Sequence, residues 1–273
     1  MSRSALLGLL LLAAAPARGQ VLVAPTFVAV DAAEPIGTFT VINQSEAVQE
    51  VEVGFRFGYS VSDSTGDWRV HYEEGGPVAE AHAADPWLRS FPRRFVLEPG
   101  ARQAVRVMAQ PPAGLADGAY WSRLSVRSQE QAELTAEPTD AISANVNLVF
   151  EQTVPLVVHR GASATGLRAG AGAAHVEGDL VRLMVPLTRE GASPFFGTLG
   201  IRVLDAAGAQ VHAFERGASV YFDFVERIDF DAAGWAPGAY RALVTFRAGR
   251  DNVPADLLPA MAPVTTEVAF SIQ

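Results

Sequence analysis

Val51, Val53, Phe55 and Phe57 alternate with Glu52, Gly54 and Arg56, and this spacing of two recurs along nearly the whole chain. Successive side chains of a strand point to opposite faces, so such a run buries one face and wets the other. Thr38 to Ile42, Val105 with Val107, and Tyr120 with Leu124 and Val126 carry the same pattern or a β-former-rich version of it. Turn chemistry punctuates the runs at Glu98-Pro99-Gly100, Ala116-Asp117-Gly118, Asp205-Ala206-Ala207-Gly208 and Ala236-Pro237-Gly238. No segment has the three-to-four spacing of an amphipathic helix; Ala79 to Ala84 tolerates a helix but is short and stops before Asp85-Pro86. Short strands, regular turns and no intervening helices predict an all-β protein of sandwich architecture.

The chain of 273 residues is long enough for two such sandwiches. The apolar run Val154 to Val158 stops at His159-Arg160-Gly161, and Gly161 to Ala174 is mostly small residues, which read as a linker and domain entry. Strand-like runs resume at Leu180 to Leu187, Thr198 to Leu204, Ser219 to Phe224, Tyr240 to Phe246 and Thr266 to Ile272. The expected division is residues 1–19, 20–162 and 163–273. The first piece reads as a signal peptide: Arg3, the apolar run Ala5 to Ala15, and Ala17-Arg18-Gly19 with cleavage before Gln20. No other apolar run approaches the length of a membrane span, so the expected mature chain is exported without membrane insertion. Gly58 to Arg93, with Trp68, Tyr72 and Trp87, is expected to be an ordered excursion with some strand.

Composition narrows the chemistry. A net charge of −9, with the cations scattered and all of them arginine, argues against nucleic acid. The absence of cysteine excludes disulfides, thiolate metal sites and a cysteine nucleophile. His71, His82, His159, His175 and His212 never fall at a metal-ligand spacing. Asp223, Glu226, Asp229 and Asp231 lack the glycine-punctuated order of a calcium loop and read as a solvated strand face. No nucleophile elbow, zinc motif or phosphate loop is present, and no metal, cofactor or catalytic residue is assigned. Trp68, Trp87, Trp121 and Trp235 could serve a carbohydrate-binding module or secreted hydrolase as stacking platforms, but aromatics in sandwiches are more often core.

One strand stands apart. Ala144, Val146, Leu148 and Phe150 fall on one face of the run from Ala141 to Val158, with Ser143, Asn145, Asn147, Val149 and Glu151 on the other. A strand of this kind either faces its own core or lends a sheet edge, with alternate apolar side chains, to another protein.

Residues 21–162 resemble the periplasmic chaperones of pilus assembly, the chaperone–usher family. The pieces come in that family's order: Val23-Ala24-Pro25-Thr26, the turn Asn43-Gln44-Ser45, Phe91-Pro92-Arg93-Arg94-Phe95-Val96-Leu97-Glu98-Pro99-Gly100 with Gln103 to Val107, Asp117-Gly118-Ala119-Tyr120-Trp121, and Val157-Val158-His159-Arg160-Gly161. The second half fits more loosely, through Gly197-Thr198-Leu199, Val220-Tyr221 and Gly238-Ala239-Tyr240.

The resemblance implies two immunoglobulin-like sandwiches, a periplasmic location, and pilin-like subunits as partners with an outer-membrane usher beyond them. It also implies donor-strand complementation. In that scheme Val146, Leu148 and Phe150, with Ala144 at the shallow end, fill the open core of an unfinished subunit. The family anchors the subunit's terminal carboxylate through an arginine on the first strand and a lysine on the donor strand. Here Phe27 and Pro155 match those positions, Ala119 replaces an acidic residue, and Arg160 is the nearest cation to an interdomain cleft. The competing expectation is a structural or adhesive two-sandwich protein of the cell envelope, which would bury Val146, Leu148 and Phe150 in its own core.

Overall fold

The computed structural model describes residues 21–130, 148–251 and 253–273. The chain is all-β. The first strands are β1 (Val21–Ala24), β2 (Val28–Asp31), β3 (Ile36–Asn43) and β4 (Gln49–Arg56). A hairpin follows, β5 (Gly58–Ser62) with β6 (Trp68–Tyr72), and then one short helix, α1 (Pro77–His82). The chain continues through β7 (Leu88–Phe91), β8 (Arg94–Leu97), β9 (Arg102–Ala109), β10 (Gly118–Glu130) and β11 (Val149–Arg160).

Two sheets stack to make the first sandwich, in the orders β1-β3-β9-β7 and β2-β11-β10-β4-β8. Their facing side chains, among them Val23, Phe39, Val41, Val53, Val105, Val107, Leu124, Val126 and Leu156, form one core. The alternation predicts this: Val51 and Val53 are buried while Glu52 is not. Phe57 departs from the expected face, because the chain leaves β4 before reaching it and its ring packs on Trp121 instead.

The second sandwich contains β12 (Thr165–Ala169), β13 (Ala173–Glu177), β14 (Leu180–Gly191), β15 (Phe195–Leu204), β16 (Gln210–Val220), β17 (Phe224–Asp231), β18 (Gly238–Ala248) and β19 (Val264–Ile272). One sheet runs β12-β14-β13 with β17 also on β14, and the other runs β16-β15-β18-β19. Leu183, Val185, Phe195, Leu199, Ile201, Val244 and Phe246 fill the space between them.

Both sandwiches carry the same local device. The Tyr120 hydroxyl donates to the Ala116 carbonyl at 2.9 Å, and the Tyr240 hydroxyl to the Ala236 carbonyl at 2.6 Å. Each tyrosine follows a turn ending in Gly-Ala, so its ring covers the core rim while its polar tip ties the turn down. Asn43 acts likewise: fully buried, its Nδ2 donates to the carbonyls of Ala47 and Leu97 and its Oδ1 accepts from Ser45 N, which fixes the turn after β3. At Gly197 a Cβ would sit 2.0 Å from the Arg247 carbonyl oxygen, so only glycine lets β15 approach β18 there.

Three expectations need correction. Gly161 to Ala174 is not all linker: Thr165–Ala169 is a strand paired with β14, since backbone hydrogen bonds hold it where small side chains contribute little core. Ser219 to Phe224 is not one strand but the end of β16, a bend and the start of β17. Tyr221 and Phe222, at the bend, turn toward a different core, described below, while Val220 and Phe224 stay with the second sandwich. Among the four acidic residues, Glu226 is buried against Arg216 and Asp229 pairs with Arg182 and Arg227, so this is an ion-paired strand rather than a solvated face.

Candidate functional site

β11 pairs with β10 along its whole length, from Val149 opposite Gln129 to Arg160 opposite Gly118. On its other side β2 runs parallel to it over Leu156 to His159 only. Among the described residues, no strand covers that side from Val149 to Pro155.

Which backbone groups face this edge follows from one hydrogen bond. The His159 carbonyl accepts from Ala32 N at 2.7 Å, on the β2 side. Both backbone groups of a strand residue point the same way and alternate along the strand, so Val149, Glu151 and Thr153 direct their N–H and C=O to the open edge. Pro155 has the same parity, so its missing N–H falls on that edge and the ladder with β10 stays whole.

The side chains follow the other alternation. Val154, Leu156 and Val158 are buried in the first sandwich core. Gln152, next on that face, closes the end of the core: its Oε1 accepts from Val23 N at 3.1 Å. Beyond it Phe150 and Leu148 run past the core, 43 % and 60 % exposed. Val149, on the opposite face, is exposed as well. The predicted site residues Ala144 and Val146 lie outside the described residues.

A second region lies where the sandwiches meet. Phe27, Phe57, Tyr59, Trp121, Val157, Phe196, Tyr221, Val253 and Leu258 form a core of their own, drawing on both halves of the chain. The β5–β6 hairpin adds to it: Ser62 Oγ accepts from Val225 N at 2.6 Å, and Asp67 pairs with Arg227. The charge here is unlike that of the whole molecule. Four guanidinium groups lie over aromatic rings around this cluster: Arg56 over Tyr72, Arg123 over Tyr221, Arg189 over Phe222 and Arg250 over Phe27, at 4.1, 5.7, 5.2 and 4.5 Å.

Strand register explains how Arg123 reaches this cluster. Arg123 stands opposite Pro155 on one side and Arg56 on the other, and Phe27 immediately precedes the Val28–Leu156 pair. Phe27, Pro155 and Arg123 thus share one rung across three strands, with the cation one strand inward from Pro155. Arg123 is 5 % exposed; its Nη2 donates to Ser60 Oγ at 2.9 Å, while its Nε has no hydrogen-bond partner among the described residues. Arg250 Nη2 donates to Ala218 O and Ser219 Oγ, both at 2.8 Å, and its Nε is likewise unpartnered. Burial pulls the Arg250 pKa down. Tyr221 is fully buried with no hydrogen-bond partner for its hydroxyl among the described residues; burial pushes its pKa up, against the pull of Arg123 and Arg250.

Arg160 does not join this group. It stands five residues, about 17 Å of strand, from the Pro155 rung, with its Nε 4.0 Å from Asp117 Oδ1. Arg123, Tyr221 and Arg250 were not among the residues predicted from sequence. The signal available was a lone arginine inside a run rich in β-formers, Tyr120 to Val126.

Among the described residues no three of His, Asp and Glu converge in a way that could hold a metal ion. His82 stacks on Trp121 with ring centres 4.4 Å apart, and His159 is buried.

No family model and no curated relative matches the chain. Solved structures similar to it include the CsuC–CsuE chaperone–tip adhesion subunit pre-assembly complex from archaic chaperone-usher Csu pili of Acinetobacter baumannii, at 11 % identity and a TM-score of 0.44, covering 92 % of this chain and 98 % of that one. The E. coli chaperone DraB has 14 % identity and a TM-score of 0.45, with coverages of 91 % and 96 %. The Salmonella enterica SafA pilin in complex with the SafB chaperone has 12 % identity and a TM-score of 0.42, with coverages of 90 % and 95 %.

Proposed function

We propose that this chain is a periplasmic chaperone that holds unfinished pilin-like subunits by lending them the first half of β11. What carries the reading is the coincidence, on one strand, of an uncovered backbone edge and exposed apolar side chains on the face that elsewhere fills the core. An extended partner segment pairing with Val149, Glu151 and Thr153 gains ladder hydrogen bonds, each worth roughly 0.5–1.5 kcal/mol net. Leu148 and Phe150 would enter its open core, about 1.5–3 kcal/mol each on full burial. Left in water, the same strand is an aggregation hazard.

A structural or adhesive module needs Leu148 and Phe150 inside its own core, whereas both side chains are exposed. Export through the N-terminal segment and hand-over to an outer-membrane usher belong to the proposal and rest on the sequence resemblance.

The test is co-expression in a periplasm with the pilin-type subunits encoded beside this chain, comparing wild type with a Leu148→Arg, Phe150→Arg double variant. The expected result is subunit recovered with the wild type and lost with a variant that melts at the same temperature. Equal recovery with both, or a variant that cannot fold, would overturn the reading.

A further inference from the structure

We infer that the outer face of the sheet β1-β3-β9-β7 is a docking surface for an extended acidic segment of another polypeptide, one with an apolar residue between its carboxylates. Register sets Phe91 beside Arg106 and Arg89 beside Met108 at one end of this face, and Arg102 beside Ile42 at the other. Between them Ala104 and Thr40 make a shallow rung of small side chains. The strands thus present three cations and no anion on this face, in a chain whose net charge is −9.

Exposed strand arginines elsewhere find carboxylates: Arg94 pairs with Glu52, Arg168 with Glu190, Arg241 with Glu267 and Arg247 with Glu215. Here Arg89 turns its Nη1 back to the carbonyls of Pro86 and Leu88, at 3.0 and 2.7 Å. Among the described residues, Arg102 and Arg106 have neither an ion pair nor a side-chain hydrogen bond, although Glu34 and Glu98 stand in the turns that enter β3 and β9. The apolar members are exposed as well, Phe91 by 78 % and Met108 by 42 %. Unpaired guanidinium groups offer forked donors to carboxylates, and the exposed apolar side chains beside them gain by being covered.

Spacing selects the form of the partner. Arg102 and Arg106 are four residues apart on one strand, about 13 Å. An extended segment has the same repeat, so carboxylates four residues apart reach both arginines and the residue midway comes down over Ala104. A helix brings residues four apart to within about 6 Å along its axis, too close to span the pair. The face measures roughly 14 by 20 Å from strand and residue spacings. That is less than half of the ~800 Å² each partner gives to a standard protein interface, so it suits a segment, not a whole domain. An anionic bilayer is the poorer match, because it would meet the acids of the whole molecule. A bound segment feels only charges within about 8 Å. The lent strand β11 belongs to the opposite sheet, so docking here is independent of strand lending.

Amide-resolved NMR titration of the mature full chain tests this and locates the contact. The probe is a blocked peptide, Thr-Glu-Thr-Leu-Thr-Glu-Thr. Saturable shifts on β3, β7 and β9 are expected, and the Leu148→Arg, Phe150→Arg variant should show the same shifts. Glutamine in place of both peptide glutamates should weaken binding tenfold or more, and serine in place of its leucine severalfold. An Arg102→Gln, Arg106→Gln double variant of unchanged Tm should also bind tenfold more weakly. Vesicles of phosphatidylglycerol should not retain the chain on sedimentation. Absence of saturable shifts, shifts that map to β11 instead, or equal binding by the double variant would overturn the inference. Retention by vesicles that the two arginine substitutions abolish would overturn it too, and would assign the face to lipid.

Discussion

His159 is where burial and ionisation meet most sharply. It sits between Ala119 on β10 and Asp31 on β2, with Nε2 unpartnered among the described residues, and burial lowers its pKa to about 4 against a weaker upward pull from Asp31. Between the unfolded value of 6.5 and about 4, the unfolded chain binds a proton that the folded chain refuses. Stability is thus full above pH 6.5 and falls as pH drops through this window, by at most about 3 kcal/mol. Burial, with Arg189 adding to it, also lowers His82, which contributes with the same sign. Denaturant melts of wild type and His159→Gln from pH 7.5 to 4 should converge as the pH falls; parallel curves would exclude His159 as the source. Residue types were informative where their role is local: Asn43 and Tyr120 stand where turn chemistry puts them, and the strand parity of Leu148 and Phe150 is read directly from their spacing. Arg123, Tyr221 and Arg250 were not legible as a group, because only the docking of the second sandwich against β10 brings Tyr221 and Arg250 to Arg123.

At the scale of the element, β11 is half paired and half open, and amide exchange should record it. Phe150, Gln152 and Val154 direct their N–H toward β10, whereas Val149, Glu151 and Thr153 direct theirs to the open edge. Residue-resolved exchange by NMR should therefore alternate in protection from Val149 to Val154 in the free protein. Saturation with a subunit should protect the odd-numbered amides too. Uniform protection in the free protein would mean another segment already covers the edge, and strand lending would need that segment displaced first. Elements with a strong period of two were legible: β4, β9, β14, β15, β18 and β19 fall where alternation predicts them. β12 and β16 were not, since small or charged residues fill them and ladder pairing, not side-chain burial, decides their strand state.

In the whole molecule, the two sandwiches have separate cores joined by a third made mostly of aromatic rings. Trp121 is central there, stacked with Phe57 and His82 and touching Tyr221 and Phe222. Trp121→Ala should cost about 3–5 kcal/mol and should uncouple the halves, since each keeps its own core. Calorimetry is expected to resolve one transition for the wild type and two for this variant. A single transition for the variant would show that the ion pairs and hairpin contacts suffice to couple them.

What the sequence determined by itself is the strand character of the chain, the turns between strands, and the face to which each alternating side chain belongs. These are local matters of backbone sterics and a two-residue period, needing no knowledge of distant neighbours. Tertiary structure alone decided what covers each face. It placed Val154 and Phe150, identical in parity, inside and outside the core, because the sandwich ends between them. It also sent Phe57 and Tyr221 to a shared junction, and gathered arginines there in a protein whose net charge is negative. Burial and charge convergence depend on which strands are neighbours, and a period of two carries no record of neighbours.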